Sequence, residues 1–85
     1  MDDTGAIYTC NMDLRGMYCP EPVMKLHELI RTLQPGDTIL VRATDPATQR
    51  DIPKFCLFLG HELCESHIQQ EENEFHYVIR LGSNT

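Results

Sequence analysis

Two prolines separated by a single residue, in Cys19-Pro20-Glu21-Pro22, constrain this chain more than any other feature. Proline fixes its own φ and has no N–H, so a helix tolerates it in the first turn and is broken by it further in. Pro20 and Pro22 can therefore share one helix only where that helix begins. The residue ahead of a proline is pushed out of the helical region, which sets Cys19 at or beside the N-cap, outside the helix and against its positive end. Gly16 gives the preceding segment the freedom to turn tightly into that position.

A cysteine so placed is expected to be reactive. The partial positive charge and free N–H groups of a helix start favour an anion, which lowers a thiol's pKa. The two prolines remove two of those donors, and the charge of Glu21 opposes a thiolate. The expectation is a moderately activated, accessible thiol with a pKa below the ordinary cysteine value. The plainer reading makes Cys19 a small, half-buried residue at a loop-to-helix junction.

The remaining residues set the scale. A chain of 85 residues with 41% hydrophobic content supports one small domain, spanning 1–85, with polar ends at 1–5 and 82–85 expected to fray. No long apolar run and no basic segment followed by an apolar one is present, so neither a membrane span nor a signal peptide is indicated, and a cytoplasmic protein is expected. The net charge is −6, and the seven Lys and Arg residues are scattered. Direct binding to nucleic acid, which rests on clustered cations, is disfavoured. The four cysteines, Cys10, Cys19, Cys56 and Cys64, contain no C-x-x-C pair, and His27, His61, His67 and His76 form no metal-ligand array. Reduced thiols, no metal site and no cofactor are the expectation.

Along the chain, residues 6–14 alternate, with Tyr8, Cys10, Met12 and Leu14 on one side, which reads as a one-sided strand. Helix 1 is expected over 20–34 with a stripe of Val23, Leu26, Leu29, Ile30 and Leu33; Met24 lies beside that stripe, one turn above the thiol, and His27 reads as a solvated helix residue. Gln34-Pro35-Gly36-Asp37 stops this helix, and a second strand follows over 37–44. Two helix-start signals come next, Asp45-Pro46 for a short turn and Asp51 ahead of Pro53 for helix 2 itself, which closes at Gly60. Ile52, Phe55, Cys56 and Leu59 form its core stripe and leave Leu57 and Phe58 on the outer face. Strands over 61–70 and 75–81, joined by an acidic turn at 71–74, make a hairpin. Cys64 shares a face with Ser66 and Ile68, and either a core or an edge thiol fits. The order is βαβαββ: an α+β fold, a two-layer α/β sandwich in which two helices cover one face of a four-stranded mixed sheet.

Several of these segments together resemble the TusA/SirA family of small sulfur carriers. The likeness runs through Asp13-Leu14-Arg15-Gly16 with Cys19-Pro20-Glu21-Pro22-Val23-Met24, Gln34-Pro35-Gly36-Asp37-Thr38, Asp45-Pro46-Ala47-Thr48 with Arg50-Asp51-Ile52-Pro53 and Phe55-Cys56, and His61-Glu62-Leu63. The resemblance implies a two-layer βαβαββ fold and a carrier that takes sulfur as a persulfide on Cys19 from a cysteine desulfurase. It further implies delivery to a downstream acceptor, a TusBCD-like complex, on the way to 2-thiolation of the tRNA wobble uridine; some relatives serve sulfur oxidation or molybdenum cofactor synthesis instead. Glu21, Asp45 and Arg50 match family-motif positions near the thiol or in a partner-facing loop. With Met24 and Phe58, which the residue pattern leaves exposed, they are the expected partner contacts. Tyr18 and His27 stand where relatives often carry a basic residue. The competing readings are a non-catalytic interaction module, in which Met24, Phe58 and the Asp45 loop are the functional surface, and a redox sensor working through Cys19.

Overall fold

The computed structural model describes residues 8–82. Six elements follow one another: β1 (Cys10–Leu14), α1 (Glu21–Ile30), β2 (Thr38–Ala43), α2 (Thr48–Leu59), β3 (Glu62–Gln69) and β4 (Glu74–Arg80). The strands form one sheet in the order β1-β2-β4-β3, with β1 and β2 parallel and the other pairs antiparallel. This is the βαβαββ mixed sheet anticipated from the sequence.

Register converts the alternation of each strand into one continuous apolar face. Met12 and Leu14 stand opposite Val41 and Ala43, and Ile39, Val41 and Ala43 stand opposite Ile79, Tyr77 and Phe75. Leu26 of α1 and Ile52, Phe55 and Cys56 of α2 are buried in the same cluster, with Val23, Leu29, Ile30 and Leu59 packed partly buried against it. Each side chain fully buried in this way is worth about 1.5–3 kcal/mol, so the helix stripes are what fasten the second layer. A buried hydrogen bond of 2.8 Å between Thr48 Oγ1 and Tyr77 Oη adds a polar tie from α2 to β4.

The elements depart from the sequence reading in several places, beginning with the first strand, which starts at Cys10 and leaves Tyr8 and Thr9 ahead of it. Helix α1 gives way after Ile30, where Thr32 and Leu33 donate to the carbonyls of Leu29 and Ile30 in a tightened turn. Helix α2 starts at Thr48, earlier than the Asp51–Pro53 signal, because the Asp45 carbonyl takes both the N–H and the hydroxyl of Thr48. What reads as two helix starts is one, and Pro53 lies inside the helix. In β3 the register slips between Leu63 and Glu65, so that Cys64 is an extra, exposed residue instead of sharing the face of Ser66 and Ile68. Gly82, grouped by its polar neighbours with the fraying end, donates its N–H to His61 Nδ1 at 3.0 Å. Residues 6 and 7 of the expected first strand, and the expected fraying of 1–5 and 83–85, lie outside the described residues.

The opposite face of the sheet carries charge. Glu74, which the sequence places in the acidic turn, begins β4 and is buried, with His76, Arg15 and Arg42 around its carboxylate at 2.9, 3.3 and 3.5 Å. The hydrogen bond from His76, with those from its arginine neighbours, holds the Glu74 carboxyl below its usual range.

Candidate functional site

The approach to α1 is fixed by contacts far apart in sequence. Met17 N–H donates to the carbonyl of Leu14, and Gly16, at φ +83°, donates its own N–H to Thr44 Oγ1 at 2.8 Å. That left-handed conformation is one that a side chain would strain, which is why glycine stands there. The chain then reaches Cys19, whose N–H donates to Asp45 Oδ2 at 2.8 Å, and the Cys19–Pro20 bond is cis. Pro20 is the N-cap of α1, with no side-chain capping bond, and Pro22 follows in the first turn. The thiol is exposed.

A groove of about 440 Å³ opens from Cys19 between the two helices. Pro20, Val23 and His27 line it from α1, and Asp51, Lys54, Phe55, Phe58 and Leu59 line it from α2. On α2 the spacing 51, 54, 55, 58 is that of one helix face. His27, read from sequence as solvated, is exposed on one side and sets its ring edge-on to Phe55 at 4.9 Å. Past His27 and Leu59 the surface continues into a second cavity of about 330 Å³, where the half-buried His61 is held below its usual pKa by burial and by His27.

The electrostatics around the sulfur reverse one expectation. Hydrogen bonding to the Asp51 carboxylate, with partial desolvation and the charge of Asp51, raises the Cys19 pKa above its ordinary value. Arg50 pulls the other way, and Asp45 adds to the rise. Asp51 is itself held below the usual carboxylate range, first by the Arg50 guanidinium, whose Nε lies 3.0 Å from Oδ1, and then by the Cys19 hydrogen bond. The helix-start argument for a lowered pKa is thus outweighed by a carboxylate from the other helix. Cys10 is shifted upward by burial, and Cys56 is pushed up to about 11 for the same reason.

The other expected site residues are spread around this mouth. Glu21 is exposed in the first turn of α1, Met24 is 54% exposed on α1, and Phe58 is 75% exposed on the wall of the groove. Arg50 is exposed beside Asp51. Asp45 is buried, and its carboxylate serves the chain itself: one oxygen takes the Cys19 N–H and the other takes the Ala47 N–H at 3.0 Å, ahead of α2. Asp51 is the participant that sequence reasoning missed. Its place one turn ahead of Phe55 on the groove face is the signal that marks it. Among the described residues, no group of three or more His, Cys, Asp or Glu is placed to hold a metal ion, and no helix is long and apolar enough to cross a membrane.

Fold and site together define a class: a small two-layer βαβαββ domain that presents one exposed cysteine at the mouth of its first helix, beside an apolar groove. The profile of the family described as "Sulfurtransferase TusA" matches residues 11–81, and the chain belongs to that family. It is 55% identical over 73 residues to the sulfur carrier protein TusA of Pseudomonas syringae pv. tomato, covering 86% of this chain and 84% of that protein. It is 51% identical over 77 residues to the sulfur carrier protein TusA of Pseudomonas entomophila, covering 91% and 94% of the two chains. Among solved structures, a SirA-like protein from Desulfitobacterium hafniense superposes with a TM-score of 0.75 at 19% identity, covering 86% of this chain and 97% of that one, which is a likeness of fold.

Proposed function

We propose that the protein is a cytoplasmic sulfur carrier in which Cys19 accepts the terminal sulfur of a cysteine desulfurase's persulfide and hands it to a downstream acceptor. The observation that carries this reading is that Cys19, alone among the four cysteines, is both exposed and on the rim of the interhelical groove. The Cys19 thiolate attacks the terminal sulfur of the donor persulfide; the new S–S bond forms as the donor's cysteine leaves as a thiolate, and the carrier keeps Cys–S–SH. The acceptor's cysteine thiolate later attacks that terminal sulfur, and Cys19 is the leaving thiolate. No second cysteine and no cofactor is consumed in either step. The relatives' name supports the carrier role, and by the family resemblance the acceptor is a TusBCD-like complex serving tRNA wobble-uridine 2-thiolation. In this reading Glu21, Met24, Arg50 and Phe58 are contacts for donor and acceptor, and Asp45 holds the loop that presents the thiol.

The test is intact-mass spectrometry after incubation with an active cysteine desulfurase and L-cysteine. The wild type is expected to gain the mass of one sulfur, lost on reduction, and Cys19→Ser to gain none. An unloaded wild type beside a working donor would overturn the carrier reading. Exposed Phe58, Leu57 and Met24 favour a second reading, an interaction module, under which Cys19→Ser would leave function intact.

A further inference from the structure

Among the charged groups around Cys19, Asp51 is set apart by its geometry. The carboxylate of Asp45 is occupied by two backbone donors, Cys19 N–H and Ala47 N–H, so it positions the loop. Asp51 comes from the other helix, lines the same groove as Cys19, and has one oxygen engaged by Arg50 Nε at 3.0 Å. A carboxylate retains further acceptor capacity after one such bond. The remaining charged or titratable groups at this mouth are Lys54 on the α2 wall of the groove, His27 on the α1 wall and Glu21 in the first turn of α1.

We infer that Asp51 is a positioning residue for the carrier cysteine: its carboxylate, facing the same groove from the other helix, keeps the resting Cys19 as a thiol, and Arg50 tempers its charge. The inference rests on the carrier reading for its purpose and on the groove geometry for its substance. A protonated thiol is a poor nucleophile and a poor target for oxidation, so the negative charge of Asp51 in the groove quiets the sulfur between loading events. Thiolate chemistry at Cys19 then requires that the proton leave to solvent or to a base of the partner, against the local charge of Asp51. The Asp51 carboxylate, held low by the Arg50 guanidinium, keeps its charge beside the thiol. Arg50 and Asp51 are adjacent in sequence and opposite in effect, which gives the arrangement a signature no general loosening of the site would copy.

The experiment is the pH dependence of Cys19 alkylation by iodoacetamide, followed by mass spectrometry in a Cys64→Ser background, so that Cys19 is the exposed thiol being read. The expected result is that Asp51→Asn moves the midpoint of the profile to lower pH and speeds alkylation several-fold at about pH 7, because removing a neighbouring negative charge favours the thiolate. Asp51→Ala moves it at least as far, and Arg50→Gln moves it to higher pH. A change in access alone would scale the rates at every pH and leave the midpoint in place. Unmoved midpoints in both Asp51 variants, with native circular dichroism, would overturn the inference, and so would a shift to higher pH. Alkylation needs no desulfurase, so failure here is distinguishable from failure of sulfur loading in the mass assay.

Discussion

The two helices of this domain begin in different ways. Helix α2, whose N-cap Ala47 makes no side-chain cap bond, is supported from just ahead: Asp45 accepts from Ala47 through its side chain and from Thr48 through its carbonyl, and Thr48 reaches on to Tyr77 in the sheet. Helix α1 opens on Pro20, also with no side-chain cap, and the N–H of Cys19 just ahead of it is satisfied by the other oxygen of Asp45. The difference teaches where the site's order comes from. The mouth that carries the thiol borrows its rigidity from the mouth that does not, and the first turn of α1 is left uncluttered for a partner.

The sharpest way to break the comparison is Asp45→Ala, which strips support from both helix starts at once. It is expected to cost about 2 kcal/mol of stability, the scale of a lost cap together with a charge-assisted hydrogen bond, read as a lower urea midpoint at unchanged slope. It should also slow persulfide loading while leaving Cys19 chemically intact. Next comes Thr48→Val, which removes the polar tie of α2 to the sheet together with the hydroxyl's bond to the Asp45 carbonyl, and leaves Tyr77 Oη buried without that partner. A loss of about 1.5 kcal/mol is expected, with loading unchanged once the protein is folded. The smallest effect belongs to Glu21→Gln in the first turn of α1. It is expected to move stability by no more than about 0.5 kcal/mol, since the charge is exposed and only the helix end feels it. If Glu21→Gln proved as costly as Asp45→Ala, α1 would be capped by its own residues and the comparison would fail.

Much of this was legible beforehand, for reasons that can be named. Period-two alternation in β1, β2 and β4 and the stripes of α1 and α2 report burial directly, because each side chain's face follows from its position alone. Cys19 was legible as a rim thiol because proline chemistry is local. The start of α2 was not, because Pro53 suggested a first turn there, whereas the capping contacts of Asp45 decide where the helix opens. The sign of the Cys19 pKa shift was not legible either. A local reading weighs Glu21 and the helix end, and Asp51 meets the thiol only after the chain has folded through β2. Cys64 was ambiguous because a single extra residue in β3 breaks the alternation that the reading relies on.

That extra residue also bears on what the molecule avoids. Strand β3 is one of the two edge strands of the sheet, β1 being the other, and an exposed strand edge offers its free N–H and C=O groups to any passing chain. The slip at Cys64 and the exposed charges of Glu62 and Glu65 spoil that edge as a template for a second sheet. A sulfur carrier gains from a β3 edge that a foreign strand cannot readily zip onto, while the groove between its helices stays open.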